Sequence, residues 1–203
     1  MKKFCFILIV LIAAGCYNRS EEYFDKGGEF MELGEFKKAI PFLDSALLEN
    51  PYYFDVNFNR GICYMEIAEY DKAIRDFDKS FDATPFDVQP LYYRGLCKSF
   101  AGDYKGAIKD YTETLQLYNR HSEARIDRAY AYYQLNQFGD ALIDANNSIN
   151  INPKDTYALI LRGNIYQILE ELDSACVDWS AAADLGAKVG AKFYDENCLE
   201  LKN

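Results

Sequence analysis

Apolar and polar positions repeat along this chain with a fixed period. Residues 58–85 read FNRGICYMEIAEYDKAIRDFDKSFDATP, in which apolar side chains recur with helical spacing in two runs that a short turn separates. This spacing is typical of two successive amphipathic helices. One period further along the chain at each step, the pair Arg60-Gly61 becomes Arg94-Gly95, Arg128-Ala129 and Arg162-Gly163. The pattern therefore predicts an all-α chain in which one helix pair repeats.

Each predicted pair has a small residue in both helices, where the two helices can approach closely. In the first helices these residues are Gly27, Gly61, Gly95, Ala129 and Gly163, and in the second helices they are Ala39, Ala73, Ala107, Ala141 and Ala175. Four residues after each of these alanines, a mostly large side chain is expected to fill the space that the small residues leave. These wedge residues are Leu43, Phe77, Tyr111, Ala145 and Trp179.

A 34-residue period with small crossing sites, and with prolines 51, 85 and 153 after the second helices, resembles the tetratricopeptide repeat. The resemblance implies a right-handed α-solenoid of five helix pairs. Counted from Ser20, the repeats are 20–53, 54–87, 88–121, 122–155 and 156–189. Residues 190–203 are expected to form a capping helix that covers the apolar face of the last repeat.

The amino terminus has the pattern of an export signal. Two lysines precede an apolar run, residues 4–14, which is too short to span a bilayer because a spanning helix needs about 20 residues. The run ends in Ala13-Ala14-Gly15-Cys16, which resembles the lipobox of bacterial lipoproteins. The resemblance implies that residues 1–15 are removed, that Cys16 is lipidated and that residues 16–19 form a short tether. The alternative is an ordinary signal peptide with an incidental cysteine.

Charge and side-chain chemistry argue against nucleic-acid binding and catalysis. The net charge is −10, and removal of Lys2 and Lys3 leaves 20 basic against 32 acidic residues, a charge of −12. Nucleic-acid binding requires a basic surface. The single histidine, His121, lies in a turn-like stretch and is expected at the surface, so a Ser-His or Cys-His pair is hard to build elsewhere. We therefore expect no enzymatic activity, no cofactor and no metal.

A ladder of opposite charges follows the repeats. Four arginines recur at the same site, and each is followed sixteen residues later by an aspartate: Arg60 by Asp76, Arg94 by Asp110, Arg128 by Asp144 and Arg162 by Asp178. Arginine keeps its proton, and pairing with it keeps the carboxylate ionised, so neither group is poised for proton transfer. The ladder predicts structural ion pairs between packed helices.

Four further cysteines lie within the repeats and the predicted cap. The sequence around Cys176, together with Cys198, looks like the ending of many secreted tetratricopeptide lipoproteins, which implies a possible disulfide between these two residues. Cys63 and Cys97 occupy one site in neighbouring repeats and are expected to be buried free thiols.

In tetratricopeptide-repeat proteins the first helices line a concave groove that binds a peptide. The resemblance assigns ten residues to it, called inner positions below: Phe24, Phe58, Ile62, Met65, Tyr92, Leu96, Ile126, Tyr130, Tyr133 and Ile160. Apolar residues at helical spacing usually form a core, but the small and wedge residues already account for the core sites, so an apolar stripe beyond them indicates a binding surface.

The expected function is that of a scaffold or adaptor on the outer membrane, lipid-anchored and facing the periplasm or the cell surface. Its partners would be protein segments, within an outer-membrane or secretion complex. An apolar or aromatic segment with basic flanks would suit the acidic chain. A glycan-binding or enzyme-accessory lipoprotein and a purely structural spacer remain the alternatives.

Overall fold

The computed structural model describes residues 19–199. Within this range the chain forms eleven α-helices and contains no strand. The helices are α1 (19–32), α2 (Phe36–Glu49), α3 (Phe54–Glu66), α4 (Tyr70–Ala83), α5 (Val88–Phe100), α6 (Tyr104–Leu117), α7 (Ser122–Gln134), α8 (Phe138–Ile151), α9 (Thr156–Ile168), α10 (Leu172–Asp184) and α11 (Lys188–Asn197). The predicted signal segment and Cys16 lie outside the described residues.

The chain divides into two compact units, each of which has its own helix packing. Among the described residues, unit 1 comprises 19–101 and unit 2 comprises 102–199. In unit 1, α2 packs on α3, α3 on α4 and α4 on α5. In unit 2, each helix from α6 to α11 packs on the next one along the chain. The odd-numbered helices α1 to α9 are the first helices of the predicted repeats, and the even-numbered helices α2 to α10 are the second.

Small residues and wedges fit together where the paired helices cross. A Cβ atom added to Gly61 would lie 2.8 Å from Cε1 of Phe77, and one added to Gly163 would lie 2.6 Å from Nε1 of Trp179. Both distances are too short for a real contact, so glycine is required at these sites. In unit 2, Ala129 and the small wedge Ala145 are both fully buried in one hydrophobic cluster. A larger crossing residue is thus accompanied by a smaller wedge.

The turn after each first helix uses left-handed backbone at the same position of every repeat. The φ angles there are 71° at Gly34, 60° at Ala68, 83° at Gly102, 57° at Asn136 and 63° at Glu170. Glycine and asparagine tolerate this conformation, whereas a residue with an ordinary side chain is strained in it. Two of the five turns, at Ala68 and Glu170, therefore carry strain.

The last helix, α11, covers the end of unit 2. The Phe193 ring lies 5.5 Å from the Trp179 ring, and a disulfide links Cys176 on α10 to Cys198 just after α11. This is the cysteine pair that the resemblance to secreted tetratricopeptide lipoproteins implied. No helix in the range 19–199 is long and apolar enough to cross a membrane.

Candidate protein-binding surface

The inner positions lie on first helices, and nine of the ten are partly exposed. The exception is Ile126, which is 5 % exposed and belongs to the core cluster that contains Ala129 and Ala145. Its side chain packs inside unit 2, so the assignment of Ile126 to a binding surface is wrong. The other nine side chains divide between unit 1 and unit 2, and each unit presents its own surface.

In unit 1, the inner positions rest directly on the core. The Phe58 ring lies 5.6 Å from the Phe77 ring and 5.5 Å from the Tyr93 ring. Ile62 and Met65 pack against the same cluster as Phe58. One side of each residue is therefore fixed by the core while the other remains accessible. Such anchored apolar side chains lose little conformational entropy when a partner covers them.

In unit 2, two tyrosines on α7 form the corresponding surface. The Tyr130 ring lies 6.3 Å from the Tyr104 ring, and the Tyr133 ring lies 6.0 Å from the Phe138 ring. Burial raises the pKa of the Tyr130 hydroxyl, and the nearby Tyr104 raises this pKa further. The hydroxyl therefore stays neutral and can donate a hydrogen bond.

The apolar surface narrows on α9. Asn164 accepts a hydrogen bond of 3.1 Å from Nε1 of Trp179, and Gln167 donates one of 3.0 Å to Oδ1 of Asn197. By the repeat pattern, Asn164 and Gln167 lie on the same face of α9 as Ile160. Their side chains, however, make hydrogen bonds to other side chains of the protein. Ile160 is the one apolar inner position on this helix.

Three of the predicted ion pairs are bidentate hydrogen-bonded pairs. The Nε and Nη2 atoms of Arg60 donate to the two carboxylate oxygens of Asp76, both at 2.7 Å. Arg128 binds Asp144 in the same way, and Arg162 binds Asp178. All three aspartates are buried. The fourth pair combines Arg94 of unit 1 with Asp110 of unit 2, and it stays a prediction.

Each of these arginines also reaches sixteen residues back along the chain, which sequence reasoning missed. Through Nη1, Arg60 donates to Asp44 at 2.6 Å, Arg94 to Asp78 at 2.6 Å, Arg128 to Thr112 at 2.9 Å and Arg162 to Asn146 at 2.7 Å. Each guanidinium thus joins the second helix of the preceding repeat, and for three of them it also binds the second helix of its own repeat. The available signal was a polar residue at this one site of four successive repeats, from Asp44 to Asn146.

The arginines are permanent cations. Burial lowers the pKa of Arg60, but the hydrogen bonds and charges of Asp76 and Asp44 outweigh burial and hold that pKa above its ordinary value. The guanidinium groups of Arg60, Arg128 and Arg162 also lie 5.9 Å from the ring centres of Tyr64, Tyr132 and Tyr166, respectively. These contacts serve structure, since a guanidinium held in this way does not exchange a proton near neutral pH.

The remaining reactive groups also serve structure. His121, expected at the surface, is only 7 % exposed and caps α7, where its Nδ1 accepts a hydrogen bond from the Ala124 N–H. Burial raises the pKa of the Cys63 and Cys97 thiols to about 12, so they remain protonated and unreactive at neutral pH. Among residues 19–199, no group of three or more His, Cys, Asp or Glu side chains could hold a metal ion.

The comparisons with known proteins agree with this architecture. Two family models described as tetratricopeptide repeat match residues 24–88 and 101–165. A search of curated protein sequences finds no match.

Solved structures with the same fold include MamA from Desulfovibrio magneticus RS-1, with a TM-score of 0.79 and 15 % identity over 83 % of this chain and 95 % of that one. A crystal structure of MamA gives a TM-score of 0.74 and 19 % identity over 81 % of this chain and 96 % of that one. YrrB, described as a TPR protein with an unusual peptide-binding site, gives 0.71 and 19 % over 86 % of this chain and 90 % of that one. The predicted all-α fold class is confirmed, and the chain is a tetratricopeptide-repeat protein.

Proposed function

We propose that this chain is a non-enzymatic, membrane-anchored adaptor that binds protein segments through its inner positions. The tetratricopeptide-repeat fold is a scaffold for protein–protein interaction. The observation that supports the inner positions is their partial exposure: nine apolar or aromatic side chains on first helices remain partly accessible, and most of them pack with one side on the core. An accessible apolar stripe on a rigid helical support favours binding of an extended or helical segment.

The chemistry of the partner follows from the charges around these positions. Three sites that could hold an acidic peptide terminus with a basic side chain carry Asn59, Tyr93 and Asp127 instead. The partly buried Tyr93 packs against the rings of both Phe58 and Phe77, so it serves the packing of unit 1. With a net charge of −10 on the chain, the surface suits an apolar or aromatic segment with basic flanks. YrrB, which shares the fold, is described as having a peptide-binding site.

The proposed location is the outer membrane, with Cys16 lipidated and the body of the chain in the periplasm or at the cell surface. The amino-terminal pattern supports the anchor, and the Cys176–Cys198 disulfide suits an oxidising compartment. In that location the chain would act as a subunit or assembly factor of an outer-membrane or secretion complex.

Crosslinking in native membranes tests the binding surface, with co-purified chains identified by mass spectrometry. Tyr92→Ala tests unit 1 and Tyr130→Ala tests unit 2, while Ile143→Ala, an exposed apolar residue on second helix α8, is the control. We expect both tyrosine variants to lose partners that the control retains, with unchanged helix content by circular dichroism. Retention of the same partners by both tyrosine variants would exclude the inner positions.

Lipidation is tested separately with an alkyne-tagged fatty acid added to growing cells. We expect the chain to be labelled and Cys16→Ser to abolish the label. If the wild-type protein takes up no label, the lipid anchor is removed from the proposal. The binding surface is then still tested by the crosslinking experiment. A panel of glycans, tested on the purified chain, addresses the glycan-binding alternative.

A further inference from the structure

Three large apolar side chains stand out at one edge of unit 1. Leu48 at the end of α2 is 84 % exposed, Tyr52 in the α2–α3 loop is 78 % exposed and Phe86 in the α4–α5 loop is 91 % exposed. Tyr52 and Phe86 occupy the same position of neighbouring repeats. We call residues 48–54 and 84–87 the loop edge of unit 1.

The described chain begins at this same edge. Ser20 donates a hydrogen bond of 2.9 Å to the carbonyl oxygen of Ala46, and Nη1 of Arg19 lies 3.2 Å from Oε1 of Glu49. These contacts hold the start of α1 against the end of α2, directly before the loop that carries Tyr52.

The two loops of the edge lie side by side. One cleft, with a volume of about 570 Å³, is lined by Tyr52 of the first loop, by Phe54 at the start of α3, and by Lys79, Asp82 and Ala83 near the end of α4. Since α4 ends at Ala83 and the second loop follows at once, the loop that carries Phe86 lies at the same end of unit 1 as the loop that carries Tyr52.

An aromatic residue at this particular loop site is specific to unit 1, although the α6–α7 loop of unit 2 has the half-exposed Tyr118 two positions earlier. One and two repeats after Phe86, the same site carries Arg120 and Lys154, both exposed in unit 2. The repeat pattern does not require an aromatic residue at this site, and an exposed phenylalanine or tyrosine there gains nothing from the core. At this site, the aromatic residues occur in the unit whose amino terminus leads to Cys16.

We propose that the loop edge of unit 1 lies on a lipid bilayer, with Tyr52 and Phe86 in the headgroup region. This inference rests on the lipid anchor of the proposed function. Two residues, Tyr17 and Asn18, lie between Cys16 and Arg19, and three steps of extended chain span at most about 11 Å. A lipid on Cys16 therefore holds the start of α1, and with it the loop edge, at the membrane surface. Aromatic side chains are the ones enriched at that depth of a bilayer.

Charge explains why the covalent anchor is needed. Three acidic residues, Glu49, Asp82 and Asp87, and two basic residues, Arg19 and Lys79, lie at or beside the loop edge. This edge has no excess of basic residues, so anionic lipids would not attract it. The aromatic residues orient a chain that the lipid on Cys16 holds in place.

The proposed contact also orients the inner positions of unit 1. Helix α3, the first helix of its repeat, starts at the loop edge with Phe54, so Phe58 lies nearer to the bilayer than Met65. Seven residue steps along the α-helix place these two positions about 10 Å apart along the helix axis. A partner segment bound along α3 would then run away from the membrane.

Depth-dependent fluorescence quenching tests the contact. The chain without residues 1–15, in which every described residue is retained, is coupled through Cys16 to maleimide lipid in phosphatidylcholine vesicles with brominated acyl chains. Cys63 and Cys97 are buried thiols and Cys176 and Cys198 are bonded, so Cys16 is the reactive thiol.

Two single substitutions carry the fluorescent probe. Phe86→Trp places an indole on the loop edge. Leu33→Trp is the matched control, because Leu33 is 73 % exposed in the α1–α2 turn, at the other end of the helices. The buried Trp179 is present in both variants, so its emission in the parent chain is subtracted from each.

We expect the emission of the Phe86→Trp probe to be quenched at least about twofold and shifted to shorter wavelength, because its indole enters the interface. The Leu33→Trp probe should show neither change. Equal quenching of both probes, or no quenching of the Phe86→Trp probe, would overturn the proposal. If a photo-crosslinker at position 86 captures a protein in native membranes while the Phe86→Trp probe is unquenched by lipid, the edge belongs to a protein partner instead.

The chemical tether keeps the two hypotheses apart. If native lipidation fails, the coupled chain still reports whether the loop edge contacts lipid, and the anchor itself is the part that is lost. If the chain is lipidated in cells and the Phe86→Trp probe is unquenched on vesicles, the anchor stands and the loop-edge contact is rejected.

Discussion

Arg60 in unit 1 and Arg128 in unit 2 occupy the same site of two repeats, and each guanidinium binds two partners. The two arginines differ in the partner that Nη1 binds. Both bind an aspartate of their own second helix with two short hydrogen bonds. Through Nη1, however, Arg60 binds the charged Asp44, whereas Arg128 binds the neutral hydroxyl of Thr112. The side chains of Asp76 and Asp144 are almost fully buried, while the side chain of Asp44 is 47 % exposed.

This difference separates what the fold requires from what it tolerates. A buried carboxylate without a cation is strongly unfavourable, so the arginine–aspartate pair recurs unchanged. A half-exposed acceptor is already hydrated, and an ion pair there contributes little, so a hydroxyl or an amide can replace the carboxylate.

The largest expected effect comes from removing the cation. Arg60→Ala should lower the free energy of unfolding by about 3–5 kcal/mol, because it leaves the buried Asp76 carboxylate without its arginine. Arg128→Ala should cost less, because Nη1 of Arg125 lies 4.0 Å from the Asp144 carboxylate and still offers it a cation. Asp44→Ala should cost no more than about 1 kcal/mol. Urea denaturation followed by circular dichroism measures all three.

A double-mutant cycle on Arg128 and Asp144 checks the pairing itself. We expect Arg128→Ala with Asp144→Ala to cost clearly less than the sum of the single variants. Additive costs would contradict the pairing of Arg128 with Asp144. An Asp44→Ala cost equal to that of Arg60→Ala would contradict the distinction between the buried ion pair and the half-exposed Nη1 contact.

Reduction of the disulfide should act on unit 2 alone. Breaking a cross-link between residues 22 apart, Cys176 and Cys198, is expected to cost about 3 kcal/mol by chain entropy. Hydrogen exchange with and without reductant should show faster exchange in α10 and α11 and unchanged exchange in α3 and α4. The free thiols of unit 1, Cys63 and Cys97, offer no bond to reduce. Faster exchange in α3 on reduction would show that the two units do not respond separately.

The crossing sites allow the same kind of comparison between units. Gly61→Ala should cost about 1–3 kcal/mol, because the new Cβ collides with Phe77. Phe77→Leu in the Gly61→Ala background should recover part of that loss. In unit 2, Ala145→Phe should be destabilising, because Ala129 already occupies the space that Gly61 leaves free. A tolerated Ala145→Phe, judged by the urea midpoint, would show that crossing residue and wedge are not matched in size.

The strained turns predict stabilising substitutions in both units. Ala68→Gly in unit 1 and Glu170→Gly in unit 2 should each raise the free energy of unfolding by up to about 1 kcal/mol, since glycine adopts positive φ freely. Gly34→Ala should lower it by a similar amount. Loss of stability in Ala68→Gly would mean that unfolded-chain entropy outweighs the relief of strain at this turn.

The smallest expected effect is a pH dependence confined to unit 2. The helix caps at equivalent positions are Asp87 in unit 1, which accepts from the Gln89 N–H, and His121 in unit 2. Burial lowers the pKa of His121 from its ordinary 6.5, although Glu123 opposes the shift, so the folded state favours the neutral ring. Stability from this cap is complete above pH 6.5 and declines as the pH falls below it.

His121→Asp should give unit 2 the cap of unit 1 and remove this pH dependence. The urea midpoints of both forms, measured between pH 5 and 8, test it. An identical pH profile in wild type and variant would remove His121 as its source.

The sequence by itself determined whatever recurs with the repeat period. Helix pairs, small crossing sites, wedges, the arginine–aspartate ladder and the positions of the turns all follow from that period, because the same local packing must be satisfied in each repeat. The cysteine pair and the inner positions came from resemblance, and nine of those positions are partly exposed.

The tertiary structure decided the contacts between repeats and the depth of each side chain. The Nη1 hydrogen bond of each arginine joins helices of different repeats, so its partner depends on how those helices pack. Ile126 and His121 are buried because neighbouring helices cover them, and a helical period does not reveal that cover. Tyr52 and Phe86 lie at the edge of unit 1 where α1 begins, because each second helix ends at the side on which the next first helix starts.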